Sequence, residues 1–281
     1  MSTSMTKQTS SPEQPEPSTN PAATYERYMV PPLFAPAAAQ LIRAAQPRSG
    51  ERVLDVGTGT GIVARRAAPH VLPAGMVVAL DVSPAMLTVA QDAGEREGVA
   101  VDWREGQAEA LPFGDGSFDP VLSQFALMFF VDRAAALREM RRVLTADGRL
   151  ALSVFQGIER HPFYVALDEA IARHLGTSAV GAIFALGDAD ALRAEVAQAG
   201  FREVTIEPFT ITSRFPNPEA FLAGEIDVDT AAIPAMQGLA PDALRALTAA
   251  IGQDMAELLQ TVTEGDHVRL EFHAQIVHAR P

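Results

Sequence analysis

The sequence has no cysteine in its 281 residues, which excludes disulfides, a cysteine-ligated zinc site, an iron–sulfur cluster and a thiolate nucleophile. Basic residues are scarce: 22 lysines and arginines stand against 35 acidic residues, for a formal charge of −13. Because Lys and Arg supply most of the affinity for nucleic-acid backbones, this balance argues against a nucleic-acid partner. No apolar run resembles a secretory signal or is long enough to span a bilayer, so we expect a cytoplasmic protein without a membrane partner.

The first 23 residues differ in composition from the rest of the chain. They are rich in Ser, Thr, Gln and Pro and have few apolar side chains that could offset the entropy of ordering them, so we predict a disordered tail over residues 1–23. The whole sequence is 48% hydrophobic and 20% charged, as in globular proteins.

Apolar runs that are typical of buried strands alternate with amphipathic helical stretches after an N-terminal helical cover. The alternation predicts right-handed crossovers and a doubly wound, mostly parallel α/β sheet. The strands are predicted over residues 52–56, 76–81, 101–104, 120–124, 149–155, 203–211 and 268–279, and helices over 36–45, 61–68, 85–97, 133–144, 161–175 and 188–199.

These seven strands predict a Rossmann-like sheet that is closed by an antiparallel edge and has a helical lid. The predicted organisation is a binding core with its cover over residues 24–155, a lid or acceptor region over 156–187 and 216–265, and a last helix and strands over 188–215 and 266–281 that complete the sheet.

A glycine-rich turn follows the first strand, where Asp55 precedes Gly57, Thr58, Gly59, Thr60 and Gly61. Glycines allow a tight turn and the close approach of a ligand to backbone N–H groups at the start of a helix. A dinucleotide fingerprint would need glycine at position 62, where the residue is Ile62. A ligand with a cationic amino-acid group would instead favour the carboxylate of Asp55.

Asp81 ends the second strand, where a carboxylate can accept hydrogen bonds from both hydroxyls of a ribose. Two further segments, 106–113 and 118–125, follow or include the third and fourth strands. Open α/β sheets bind ligands at the carboxyl ends of their strands, so these elements predict one binding site.

With these motifs the chain resembles the class I S-adenosylmethionine-dependent methyltransferases, and within them the type 11 small-molecule group. The resemblance implies S-adenosylmethionine as the cofactor, with Asp55 and the turn Gly57–Gly61 at its methionine part and Asp81 at its ribose. It further implies contacts from a set of residues around the adenine, below the sulfonium and in the N-terminal cover: Val82, Met86, Gln107, Ala108, Ser123, Gln124, Phe125 and Tyr28. The group usually has an acidic residue where Gln107 stands.

The expected chemistry is in-line transfer of an activated methyl group to a small, partly apolar molecule, which depends mainly on proximity and on exclusion of water. His161 and Tyr164, at the start of the predicted lid, are the candidates for a catalytic base. The spacing of the histidines predicts no metal site. The alternatives are a nicotinamide-dependent oxidoreductase, against which Ile62 argues, and a non-catalytic cofactor-binding module. The acceptor atom and self-association as a homo-oligomer are left open.

Overall fold

The computed structural model of the protein describes residues 20–178, 180–218, 221–226, 236 and 238–281. Within them, eight strands form one sheet in the order β3-β2-β1-β4-β5-β8-β6, and the short β7 pairs with β8. The strands are β1 Arg52–Val56, β2 Met76–Asp81, β3 Asp102–Glu105, β4 Phe118–Gln124, β5 Leu144–Phe155, β6 Arg202–Pro216, β7 Thr263–Glu264 and β8 His267–Arg280.

Strands β1 to β5 are parallel, whereas β8 runs antiparallel to β5, β6 and β7. The predicted doubly wound, mostly parallel sheet with an antiparallel edge is therefore confirmed. The two-residue strand β7 was not predicted, because a segment this short carries no periodicity. Strands β5 and β6 also extend beyond their predicted bounds.

The α-helices of seven residues or more that lie wholly within the described part of the chain are α1 Ala35–Ala45, α2 Ile62–Val71, α3 Pro84–Glu97, α4 Arg133–Val143, α5 Pro162–Leu175, α6 Ala189–Gln198, α7 Pro241–Asp254 and α8 Ala256–Val262. Local signals explain several of their ends. Ser83 and Asp132 accept backbone N–H bonds as N-caps of α3 and α4, and Gly176 ends α5 in a left-handed conformation. No described helix has the length and apolar character needed to cross a membrane.

Helices cover both faces of the sheet. Leu41 of α1 and Val63 of α2 belong to an apolar cluster on one face, whereas Met140 of α4 and Val196 of α6 belong to the cluster on the other. A third cluster joins α5 and α7 to the long antiparallel strands β6 and β8. This third cluster is rich in aromatic residues and lies where the sequence predicted the lid.

The chain enters the sheet through an N-terminal segment, Pro21–Phe34, that is helical throughout. Asn20 accepts a backbone N–H bond at the start of its first turn, Pro21–Thr24. The rest, Tyr25–Phe34, is a π-helix that contains Pro31 and Pro32. Proline has no N–H to donate, so the α-helical ladder is interrupted here and wider i to i−5 bonding takes its place. Residues 1–19 of the predicted tail lie outside the described residues.

The sheet topology determines where a ligand site can form. β1 lies between β2 and β4, and Asp55 is in register with Ala79 on one side and Leu122 on the other. Chain order therefore reverses at β1, and the crevice beyond the carboxyl ends of these strands is the usual ligand site of an open α/β sheet.

Candidate functional site

Asp55 lies at the base of this crevice and is 1% exposed. Its Oδ2 accepts hydrogen bonds from Thr58 Oγ1 at 2.5 Å and from the backbone N–H of Ala64 at 3.1 Å. Its Oδ1 is buried and has no hydrogen-bond partner among the described residues. Burial raises the pKa of Asp55 to about 7, and Thr58 and Ala64 oppose that shift. The carboxyl group thus has one oxygen available to a donor or a cation.

Gly57 and Gly59 of the glycine turn have different surroundings. A Cβ on Gly57 would come within 2.5 Å of the Ala126 side chain, so packing excludes any larger residue there. A Cβ on Gly59 would have nothing within 4 Å, although Gly59 has a left-handed φ of 56°. Gly59 therefore borders open space, as required where a ligand lies against the backbone. Thr60 follows it and is buried with an unpartnered hydroxyl.

Asp81 faces this turn from the end of β2. Its Oδ2 accepts the Gly59 N–H at 2.7 Å, and its Oδ1 accepts the Ser83 N–H at 2.9 Å. Burial raises the pKa of Asp81 above its ordinary value, and the charge of the Asp81 carboxylate also raises the pKa of Asp55. Two carboxyl groups thus bond to the glycine turn, Asp55 at Thr58 and Asp81 at Gly59, and this arrangement favours a cationic ligand that carries hydroxyl groups.

The end of β4 forms the third side of the crevice. Ser123 is buried and donates its hydroxyl to the Val56 carbonyl at 2.9 Å, which ties β4 to β1. Gln124 donates to the carbonyl of Phe34 at 3.1 Å, and its Oε1 is buried without a partner in the described part of the chain. Phe125 has a left-handed φ of 48°, which is uncommon for a bulky residue and typical of strained functional positions.

The four residues predicted around adenine lie beyond the ends of β2 and β3. Val82 is 64% exposed and Gln107 is also exposed, whereas Met86 is half-buried and Ala108 is buried. The backbone N–H of Gly106 donates to the Asp81 carbonyl at 3.0 Å, which keeps the loop that carries Gln107 and Ala108 beside β2. An exposed apolar Val82 next to a half-buried Met86 provides surface for a flat apolar ring.

The N-terminal segment contacts this crevice through Tyr25. The Tyr25 ring stacks on Phe34 at 4.8 Å between centroids, and its pKa is raised first by burial and then by the carboxylates of Asp81 and Glu26. Tyr28, which the sequence suggested as the cover, lines a small cavity together with Phe215 and Phe221. Its role as the cover of the cofactor stays a prediction.

His161 is buried, with both ring nitrogens engaged by the backbone. Its Nδ1 lies 3.1 Å from the Gly157 carbonyl, and its Nε2 lies 3.0 Å from the backbone N–H of His273. Burial lowers its pKa to about 4, so the ring is neutral at neutral pH, with Nδ1 donating and Nε2 accepting. Neither nitrogen is available to take a proton from a substrate, so this geometry argues for a structural role rather than the predicted base.

Tyr164 is buried and donates its hydroxyl to Glu225 Oε2 at 3.0 Å. Glu225 is only 3% exposed and lies in the helical residues 221–226. Aromatic side chains surround the pair, and their path to the crevice passes through Phe155, which stacks on Phe125 at 4.0 Å between centroids. Among the described residues, the aromatic cluster thus contains the buried carboxylate of Glu225. The Phe155–Phe125 stack connects this cluster to the end of β4.

Several of these contacts were not predicted. Tyr25 and Glu225 belong to the site region, yet neither was named as a site residue from the sequence. For Glu225 the available signal is a charged residue between apolar neighbours in a predicted helix. Among the described residues, no group of three or more His, Cys, Asp or Glu side chains could hold a metal ion.

Comparison with known proteins agrees with this geometry. Residues 54–152 match a family model described as a methyltransferase domain. A ubiquinone/menaquinone biosynthesis C-methyltransferase from Xylella fastidiosa is 40% identical over 119 residues, which is 42% of this chain and 47% of that protein. This part of the chain is similar to the class I S-adenosylmethionine-dependent methyltransferases, as the sequence motifs indicated. The match spans about half the length of that curated relative.

Solved structures support the methyltransferase fold over most of the chain. The YcgJ protein of Bacillus subtilis is 22% identical, with a TM-score of 0.56 over 87% of this chain and 97% of that one. Phosphoethanolamine N-methyltransferase 2 of Haemonchus contortus, solved with S-adenosylhomocysteine, is 19% identical, with a TM-score of 0.57 over 92% of this chain and 56% of that one. At these identities the likeness establishes the fold.

S-adenosylmethionine is the cofactor that the sequence resemblance implies for this domain. The residues present fit it: Gly59 borders open space and donates its N–H to Asp81, and Asp55 bonds to Thr58 in the same turn. The free oxygen of Asp55 suits a cationic amino-acid group, and Asp81 retains acceptor capacity for ribose hydroxyls. The assignment of each predicted residue to a part of the cofactor stays a prediction.

Proposed function

We propose that this protein transfers a methyl group from S-adenosylmethionine to a small, partly apolar molecule. The observation that carries the proposal is the pair of carboxyl groups at the glycine turn: Asp81 accepts the N–H of Gly59, which borders open space, and Asp55 keeps one oxygen without a partner among the described residues. A pyrophosphate would meet charge repulsion from these carboxylates, whereas a cationic ligand is attracted to them. This argues against the nicotinamide alternative, as does Ile62.

When bound, the cofactor supplies a methyl group that is already activated by its sulfonium. The chain then has to hold donor and acceptor in line and to exclude water. Asp55, the glycine turn and Asp81 would orient the cofactor, and Tyr25 and Phe34 would cover it. The stacked pair Phe125 and Phe155 would provide an apolar wall between the cofactor and the acceptor.

The acceptor would lie against the aromatic cluster beside Tyr164 and Glu225. The walls are apolar, so an acceptor with a largely apolar body is favoured. The buried Glu225 carboxylate, which already accepts from Tyr164, gives the region a polar group that could orient a hydroxyl or amine of the acceptor or take its proton. The acceptor atom stays open, since the family match ends at residue 152, before this region. The cytoplasmic location and any self-association also remain predictions.

The first experiment is calorimetric titration of the full chain with S-adenosylmethionine, S-adenosylhomocysteine and NADH in parallel. We expect the two sulfur compounds to bind and NADH not to bind. Binding of NADH alone would contradict the proposal. Binding of the sulfur compounds without turnover of a panel of apolar hydroxyl, amine, thiol and acidic-carbon acceptors would favour a non-catalytic module.

Replacing Asp81 with Ala tests the ribose assignment. We expect Asp81→Ala to weaken S-adenosylhomocysteine binding by about tenfold or more, because hydrogen bonds to a charged acceptor are lost. Asp102→Ala is the control, since Asp102 lies at the start of the adjacent strand β3 and pairs with Arg104. Equal affinity in the Asp81 variant and the parent protein would refute the assignment.

A further inference from the structure

Arg65 connects three elements around the crevice, although no motif includes it. It lies in the first turn of α2, directly after the glycine turn, and is 4% exposed. Its Nη2 lies 2.7 Å from Glu26 Oε1 in the N-terminal segment, and its Nη1 pairs with Glu97 at the end of α3. Its Nε approaches the Gly61 carbonyl at 3.4 Å. One buried guanidinium thus joins the cover, the turn and α3.

Side chains of the N-terminal segment near this ion pair pack into two different apolar clusters. Val30 packs in the same apolar cluster as Ile62 at the start of α2, whereas Met29 and Leu33 pack in the aromatic cluster. Tyr25, adjacent to Glu26, interacts with the carboxylate of Asp81. A cofactor that reaches both Gly59 and Asp81 would therefore lie close to this segment.

The two partners of Arg65 differ in a way that suits reversible opening. Glu97 lies on α3, in the body of the domain, and it would continue to pair with Arg65 if the segment moved away. Glu26 lies on the segment itself, and its second oxygen, Oε2, is buried without a hydrogen-bond partner among the described residues. Breaking the Glu26 contact would thus free a half-satisfied carboxylate while Arg65 stays paired, which avoids a buried, isolated charge.

We propose that the Arg65–Glu26 ion pair is a latch that holds the N-terminal segment over the cofactor and sets the rate of cofactor exchange. Arg65 is then a positioning residue, since it acts through the segment. The inference rests on the proposed cofactor site, but the latch is a property of the ligand-free chain as well. It can therefore be tested separately from methyl transfer.

The test uses Glu26→Gln in the full chain, with Glu51→Gln as a matched control. Glu51 also pairs with an arginine, Arg149, and its side chain is 17% exposed against 16% for Glu26. Bound, labelled S-adenosylhomocysteine is chased with excess unlabelled compound. We expect release to be about tenfold faster in Glu26→Gln, as for loss of one charged hydrogen bond, and unchanged in Glu51→Gln.

Hydrogen exchange without ligand supplies the second readout. We expect backbone amides of residues 25–34 to exchange faster in Glu26→Gln, with amides of β1 and β4 unchanged. Arg65→Lys, which keeps the charge but loses the planar fork, should have a smaller effect of the same kind. Unchanged release and unchanged exchange in Glu26→Gln would overturn the latch, as would faster exchange throughout the core. Failure of the parent protein to bind S-adenosylhomocysteine would overturn the proposed function, while the exchange measurement would still decide on the latch.

Discussion

At the scale of single residues, the buried carboxyl group of Asp55 links cofactor binding to pH. Burial raises its pKa to about 7, so below that pH the free protein carries it mostly protonated. A cationic ligand beside its free oxygen favours the ionised form, and binding must then release a proton. Asp55 is therefore expected to be neutral without cofactor at mildly acidic pH and charged with it.

We predict that the affinity for S-adenosylhomocysteine rises between pH 5.5 and 7.5, by up to about tenfold per pH unit below the pKa. Asp55→Asn should bind more weakly at pH 7.5 and should lose most of this dependence. The measurement is calorimetry across the pH range, with proton release determined in two buffers of different ionisation enthalpy. The same slope in the Asn variant would show that another group titrates.

His161 makes a prediction about the pH dependence of stability. Its pKa is about 4 in the folded protein, against about 6.5 in an unfolded chain, so the unfolded state binds more protons between these values. The contribution of His161 to the free energy of unfolding is complete above pH 6.5 and is lost as pH falls towards 4. At pH 5 the expected loss is about 2 kcal/mol.

Urea denaturation of the parent protein and of His161→Gln at pH 7.5 and pH 5 would measure this contribution. The variant should be less stable at pH 7.5 and should change less with pH, because its side chain does not titrate. The buried Asp55 has a raised pKa and acts in the opposite sense, but it is present in both proteins and cancels in the difference. Equal pH dependence would mean that His161 titrates normally.

At the scale of elements, the turn between β1 and α2 combines a packing requirement with a binding surface. Both Gly57 and Gly59 have a left-handed backbone, which costs about 1–2 kcal/mol for another L-residue. At Gly57 the added methyl group would also collide with Ala126, whereas at Gly59 it would enter open space. The two positions should therefore respond differently to the same substitution.

We predict that Gly57→Ala lowers the free energy of unfolding by about 1–3 kcal/mol more than Gly59→Ala does, because the added methyl group overpacks the site. Gly59→Ala should remain folded but should bind S-adenosylhomocysteine less well, since its methyl group occupies the space proposed for the ligand. Thermal unfolding and calorimetry on both variants separate stability from binding. Normal affinity in a folded Gly59→Ala would argue against cofactor contact at this turn.

At the scale of the whole molecule, the sequence predicted features that depend on local pattern. Apolar runs indicated β1, β2 and β4, and the glycine turn with Asp55 and Asp81 indicated the crevice, because parallel strands bring their carboxyl ends to one edge. Cap residues such as Asp132 indicated helix starts. These features depend on a few neighbouring residues, so they can be read without knowledge of tertiary contacts.

The features that were missed depend on contacts between distant parts of the chain. Glu26 and Arg65 are 39 residues apart, and Tyr164 and Glu225 are 61 apart. Neither pair has a spacing that follows from helix or strand periodicity. The environment of His161 could not be predicted for the same reason, because its Nε2 bond to the His273 backbone arises only when β8 packs beside β5.

Trp103 is the single tryptophan of the chain, and its ring packs beneath Gly61 and against Gly94. A glycine at each of these positions leaves room for the indole directly under the turn that borders the crevice. The protein therefore carries one indole fluorophore, placed where the turn meets α2 and α3. Tryptophan can be excited selectively over the three tyrosines, and its emission then comes from that location alone, which gives a label-free optical signal for events at the turn.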